Sequence, residues 1–535
     1  MARTNPVFSM PGTARCGSAV VLLTLILIGL TGCTGGLRYV PESQRQPIDR
    51  SIIEFPTGFE LTEVVTGLTG PVGVTFDNSD GPMRGSMIVA ESGLEAGPPR
   101  IFGFRPDGEY FSIYPRGFQV AIGQLIGGNE IQGPIGGIVA HQGRIYVTHR
   151  DSTGNGVVSA VSYDGTVQTI VADLPARGDH PLTDIVAHPT TGRLYFGLGS
   201  ATNSGVVGID NWDVGWVRKY TDFCDVPYAN LKLNGFRFDS RNPRSGLFAD
   251  EIAVTGPFQP FGVSNQTRIP RPPNDKPTSA IYSVSPDGGD LRVEAHGIRL
   301  PRGLAFNDLE NLLFTNNGME LRGTRPVKDD PDALLRLFPN TWYGFPDYSS
   351  DGSPIGSARF QPPLDLIARS GYPELSALID HSASDLTPPD ATLVVRAVFP
   401  ALSGAAKLVI LPDLPAYRDH RGHAIVALSG DRAPFATSGR KLAAPVGYKV
   451  VRVDPDSKQV FDYISNTRGG PASSERDGRG GGLERPIDVK LGPDGALYIV
   501  DFGRLEFREG EPRVRAGTGR IFKLTPVNTA APPAP

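Results

Sequence analysis

The feature that most restricts the fold is a recurring unit of two short apolar hairpins. One copy is "PVGVTFDNSDGPMRGSMIVAES" (Pro71–Ser92) followed by "RIFGFRPDGEYFSIY" (Arg100–Tyr114). A second is Pro134–Arg150 with Val157–Val171, and a third is Pro181–Ser200, joined later by Ala280–Ala295. The fourth is Pro301–Gly318, the fifth Arg421–Gly430 with Gly447–Ile464, and the sixth Arg485–Gly503 with Gly519–Pro526. Each first hairpin reads as a strand, a turn and an apolar strand. Each second hairpin tends to carry "PDG" or "YDG", where Asp-Gly supplies the positive φ angles of a tight turn. No long amphipathic helix interrupts the series. Gly 65 and Pro 49 are the turn formers that such a chain needs.

Units of four strands repeated about six times predict an all-β, six-bladed β-propeller. "FELTEVVTGL" (Phe59–Leu68) has no hairpin partner and is expected to complete the last blade, leaving no long open edge. A pair of β-sandwiches is the alternative, disfavoured by the similar register of the units. The propeller is expected over residues 56–526, with two long insertions at about 203–279 and 322–394. Loops of that length in compact domains usually have a function of their own. The first carries "NWDVGW" and "GPFQPFG", the second "FPNTWYGFPDY". These segments are aromatic enough to pack onto the propeller as a lid.

The ends differ in kind. Arg3, Arg15 and the apolar run Ala19–Leu30 read as a signal peptide over residues 1–32, too short to span a membrane. "LTGC" (Leu30–Cys33) resembles a bacterial lipobox, which makes Cys33 the lipidated first residue of an extracytoplasmic, membrane-anchored chain. Residues 33–55 are expected to be a tether and 527–535 a disordered tail. Of the three cysteines only Cys224 then remains, so no disulfide framework is expected. The net charge of −4 and the lack of a basic stripe argue against a nucleic-acid partner.

In a propeller the innermost strands surround an axial channel, and the loops at one end form the site. The positions just before those strands are Gln132, Asp179-His180, Arg299-Arg302 and Arg485. An amide, an acid-base pair and several guanidiniums from different blades suit an anionic ligand and a proton abstraction.

These pieces, in this order, resemble the soluble quinoprotein glucose/sorbosone dehydrogenase family. They are "QGPIGGIVA", "GDH" followed by "GRLYFGLG", "GIRLPRGLAF", "TNNGMELRG…PDALLRLFPNTWYGFP", "GYKVVRV" and "RPIDVKLGPDGALYIVD". The resemblance implies a six-bladed propeller that uses pyrroloquinoline quinone and calcium to oxidise an aldose or related sugar, with an external electron acceptor. It implies Gln132 as a substrate contact and His180 as the base for the anomeric hydroxyl, with Asp179 orienting or charge-stabilising it. It implies Arg299, Arg432 and Arg485 as cofactor-binding residues. The carbonyls of Gly318 and Met319 would be calcium ligands. Two positions depart from the family pattern: Leu300 replaces an asparagine, and Ala333 replaces a common glutamate. They keep open a surface-anchored propeller that binds a glycan or a protein. A calcium-dependent lactonase-type propeller would need converging Glu, Asn and Asp side chains, and the inner-strand starts offer few carboxylates. His188 is expected at a structural hairpin turn. "HRGH" (His420–His423) offers two histidines with no third metal ligand nearby.

Overall fold

The computed structural model describes residues 36–93, 97–116, 130–245, 252–265, 270–366, 374–384, 386–387, 390–431, 444–474, 482–508 and 511–527. Cys33, Arg432 and the tail from residue 528 lie outside the described residues, as does the apolar run Ala19–Leu30. Among the described residues, no helix is long and apolar enough to cross a membrane.

Six antiparallel sheets form the blades of a propeller. Their innermost strands are Pro71–Phe76, Gln132–His141, Leu182–Ala187, Pro301–Phe306, Ala405–Ile410 and Pro486–Leu491, and each packs against the next around a closed ring. Phe59–Leu68 pairs with Gly519–Pro526 as the outer strand of blade six, so the two ends of the propeller close one sheet. Aliphatic and aromatic side chains fill the space between neighbouring blades. Between blades two and three, for example, Val158, Leu174, Leu182, Phe196 and Tyr282 share one buried cluster.

Three local expectations need correction. The inner strand of blade five, Ala405–Ile410, lies ahead of the fifth sequence unit. It reaches the next strand through a short 3-10 helix, Pro415–His420, so no Asp-Gly turn marks it. The stretch 322–394 is not one insertion, because Asp332–Arg336 inside it is the third strand of blade four. Residues 33–55 are not a free tether over their described part. Arg38–Tyr39 pairs with Phe59–Leu68, and Ile53–Glu54 pairs with Gln459–Asn466. Both cover outer blade edges, whose unpaired backbone groups favour a further strand.

The insertions pack together. Leu231, Leu233 and Phe258 of the first share a buried cluster with Trp342, Ile379 and Leu386 of the second. Asn234 fastens the contact, its amide donating to Leu378 O and its side chain to the carbonyls of Ala377 and Ile379. Thr341–Trp342 adds a parallel fifth strand to blade three. Cys224 is half-buried beside an apolar cluster that includes Val217, Phe223 and Phe261.

Charged side chains meet midway along the inner strands. Lys407 Nζ lies 3.5 Å from Asp184 and donates to Val72 O at 2.7 Å. Lys490 Nζ lies 3.8 Å from Asp184 and 3.5 Å from Asp488. The amides of Val74 and Leu304 donate to Asp488 and Asp184, at 3.1 Å each. Burial pushes the Asp488 carboxyl upward, against the pull of Lys490 and Lys407. Removing one member of a buried ion pair leaves its partner uncompensated. Lys407→Met is therefore expected to lower stability by about 3–5 kcal/mol in equilibrium denaturation, and adding Asp184→Asn should recover part of that loss.

Candidate active site

Every inner strand starts at the same end of the propeller. The first insertion and the segment 317–331, which join second to third strands, open there too. Residues 337–394, which join the third strand of blade four to its fourth, reach the same end, where Arg325 donates to the carbonyls of Pro346 and Ser376. His188 lies at the opposite end. Its Nδ1 accepts from the amides of Thr190 and Thr191, both at 3.3 Å, as expected of a turn residue. His420 and His423 are not arranged as metal ligands, because Arg452 Nη1 lies 3.2 and 2.8 Å from their Nδ1 atoms.

His180 is buried, with 8% of its surface exposed, one residue before Pro181 and the inner strand of blade three. Its Nδ1 lies 3.0 Å from both the carbonyl oxygen and the Oγ of Ser200. The Ser200 hydroxyl donates to Thr202 O at 2.6 Å, so its Oγ acts as an acceptor toward the ring. A carbonyl can only accept. Two acceptors at Nδ1 put a proton on that nitrogen, so the lone pair of the neutral ring is on Nε2. Gly199 makes the approach possible. A Cβ there would meet His180 Cβ, Leu300 Cδ1 and the carbonyl oxygen of Arg299. Ser200 N donates to that carbonyl at 2.7 Å, which joins the starts of blades three and four beside the imidazole.

Asp179 is bound by the connections. Its Oδ1 accepts from Asn211 at 2.9 Å, and its Oδ2 lies 2.8 Å from Arg322 Nη2. The chain turns the two neighbouring side chains toward different partners, Asp179 to Asn211 and Arg322, and His180 to Ser200. Gln132 pairs in register with Arg150, whose guanidinium donates to the carbonyls of Ala176 and Gly178 and lies under the Trp216 ring at 4.7 Å. Gln132 thus stands on the blade that fixes the approach to Asp179-His180.

Arg299 is an internal brace rather than an open cofactor ligand. It is 2% exposed, donates to Asn203 O, Asn203 Oδ1 and Asn317 O, and lies 3.5 Å from Glu320. Its charge is already matched inside the protein. Arg485 differs. Its guanidinium donates to the carbonyls of Ser429, Gly430 and Asp431, stacks on Tyr448 at 5.1 Å, and has no carboxylate partner among the described residues. Arg302 reaches the same strand end, donating to Gly404 O and Ser429 Oγ. Arg485 and Arg302 thus bring two guanidiniums to the mouth end of blade five.

The segment expected to hold calcium is bound through its amides. Gly318 N donates to Asp332 at 3.0 Å and Met319 N to Asp330 at 2.6 Å. Asp330 also accepts from Ser350 N, and burial raises its pKa to about 7. No cluster of three or more His, Cys, Asp or Glu side chains suited to a metal occurs among the described residues. These bonds fix the loop through the amides of Gly318 and Met319 and do not use the carbonyls expected to face calcium.

Repeat logic did not index Ser200, Asn203, Asp210, Asn211, Glu320 or Arg322, which lie in connections outside the strands. The Arg150–Gln132 register was the one signal that could have pointed to Arg150.

No family model matches the chain, and no curated protein sequence matches it. Among solved structures it is similar to the calcium form of a Trichoderma reesei carbohydrate-active enzyme of family AA12, at 15% identity and TM-score 0.48, over 92% of this chain and 99% of that one. It is also similar to the holo form of the PQQ domain of a Coprinopsis cinerea pyranose dehydrogenase, at 14% identity and TM-score 0.47, over 90% and 98% of the two chains. A third is the PQQ-bound aldose sugar dehydrogenase of Streptomyces coelicolor, at 14% identity and TM-score 0.43, over 88% and 99%. These values concern the propeller fold alone.

The packing around Gly199 gives a direct check. Gly199→Ala adds a methyl group against His180, and is expected to lower stability by about 1–3 kcal/mol in equilibrium denaturation, the usual cost of overpacking.

Proposed function

We propose that the chain is an extracytoplasmic oxidoreductase that oxidises an aldose or related sugar with pyrroloquinoline quinone, His180 acting as the general base. The observation that carries this reading is the pair of acceptors at His180 Nδ1, which leaves Nε2 as the basic nitrogen. Nε2 would take the proton of the hydroxyl undergoing oxidation, a role worth about 10²–10⁴-fold in rate for a well-placed base. Ser200 holds the ring in one orientation throughout, and the positive charge that forms on the imidazole is stabilised by the Ser200 oxygens. Gln132 would contact the sugar. Arg485 would hold a carboxylate of the cofactor, and Arg302 stands beside it. The quinone, when bound, supplies the hydride acceptor. We place the chain at a bacterial membrane surface through a lipid on Cys33, on the strength of "LTGC" (Leu30–Cys33).

The burial and internal pairing of Arg299 favour a second reading, a propeller that binds a glycan without turning it over. One assay separates the two. The full chain in detergent, supplied with pyrroloquinoline quinone and calcium chloride, should reduce an artificial dye in the presence of aldoses. His180→Ala should lower kcat by about 10²–10⁴-fold while the quinone still binds. Absence of dye reduction by the unaltered chain contradicts the oxidoreductase reading. Near-normal turnover by His180→Ala contradicts the assignment of the base.

A further inference from the structure

Arg322 stands in the connection between the second and third strands of blade four, and each donor direction of its guanidinium meets a different carboxylate. Nη2 lies 2.8 Å from Asp179, Nη1 2.7 Å from Asp210 and Nε 2.8 Å from Glu320. Asp179 leads into blade three. Asp210 belongs to the short helix Ile209–Asp213 of the first insertion, and Asn211 of the same helix donates to Asp179. Glu320 in turn faces Arg299 at 3.5 Å. Asn203 knits the same place together, its Nδ2 donating to the carbonyls of Glu320 and Arg322 and its Oδ1 accepting from Arg299 and Glu320 N. Gly323, at φ +76°, lets the carboxylate of Asp210 close in, since a Cβ there would lie 2.7 Å from Asp210 Oδ2.

The electrostatics agree with the geometry. Burial alone would lower the pKa of Arg322, but Asp179, Glu320 and Asp210 together raise it well above its ordinary value. Burial lifts Asp210 to about 6 despite Arg322. Buried ion clusters of this kind are often no more stabilising than apolar packing, so their value is frequently one of specific arrangement. Here the arrangement joins a helix from outside the blade pattern to the residue next to His180.

We propose that Arg322 is a positioning residue that fixes the first insertion as a rigid wall of the pocket beside His180. The guanidinium does this through Asp210 on the insertion and Asp179 on the blade, while Glu320 ties both to Arg299. The kinetic part of the proposal rests on the oxidoreductase reading, and the structural part does not. Lysine cannot replace this residue, because one ammonium lacks the planar fork that serves three carboxylates.

The test compares the full chain with Arg322→Gln, Arg322→Lys and Asp210→Asn. Amide hydrogen exchange across residues 209–219 is expected to be about tenfold faster or more in all three variants, with the blade strands unchanged. Asp210→Asn, which breaks only the link to the insertion, is expected to raise KM for the aldose by about tenfold and to change kcat by less than about threefold. Exchange at 209–219 equal to that of the unaltered chain in the folded variants would overturn the proposal. So would a fall in kcat with KM unchanged. If Arg322→Gln does not fold, Asp210→Asn decides. If the unaltered chain reduces no dye, the oxidoreductase reading fails, and the exchange comparison still decides the role of Arg322.

Discussion

The ring depends on the charges at its axis. Buried Asp184 of blade three, Lys407 of blade five and Asp488 of blade six meet there beside the half-buried Lys490 of blade six, with backbone groups of blades one and four as further partners. Two carboxylates and two ammoniums balance one another there. Each of these blades needs the others to satisfy its own buried group, so a shift of one inner strand would strand a charge. That demand fixes the height of the inner strands, and their starts at the mouth with it. His180 stands four residues before Asp184, and Arg485 three residues before Asp488. The same strands that carry the axial charges therefore carry the mouth residues.

The propeller was legible because its logic is local. Asp-Gly turns and alternating apolar runs mark hairpins, and Phe59–Leu68 had nothing else to pair with. It was illegible where a strand lacks that punctuation. Ala405–Ile410 turns through a 3-10 helix, and Asp332–Arg336 lies between long connections. At the mouth, position was legible and orientation was not. The repeat places His180, Arg299 and Arg485 before inner strands, but a side chain's partner depends on residues far away in sequence. Arg299 turns inward because Asn203 and Glu320 await it. Asp179 turns toward Arg322 and Asn211, and Ser200, twenty residues after His180, takes the imidazole instead.

The insertions make this mouth particular to the chain. Aromatic segments that read as a lid do pack onto the blades, with Trp216 over Arg150 and Trp342 within the cluster that joins both insertions. Arg322 and Asn203 then connect those segments to Asp179 and Arg299. The surroundings of His180 are thus built as much by the connections as by the blades.

The central claim is the protonation pattern of one imidazole. Long-range ¹⁵N–¹H correlation spectra of histidine-labelled protein, with His180→Ala to assign the signal, read it directly at neutral pH. The expected spectrum is that of a neutral ring with the proton on Nδ1 and an unprotonated Nε2. A His180 with its proton on Nε2 would contradict it.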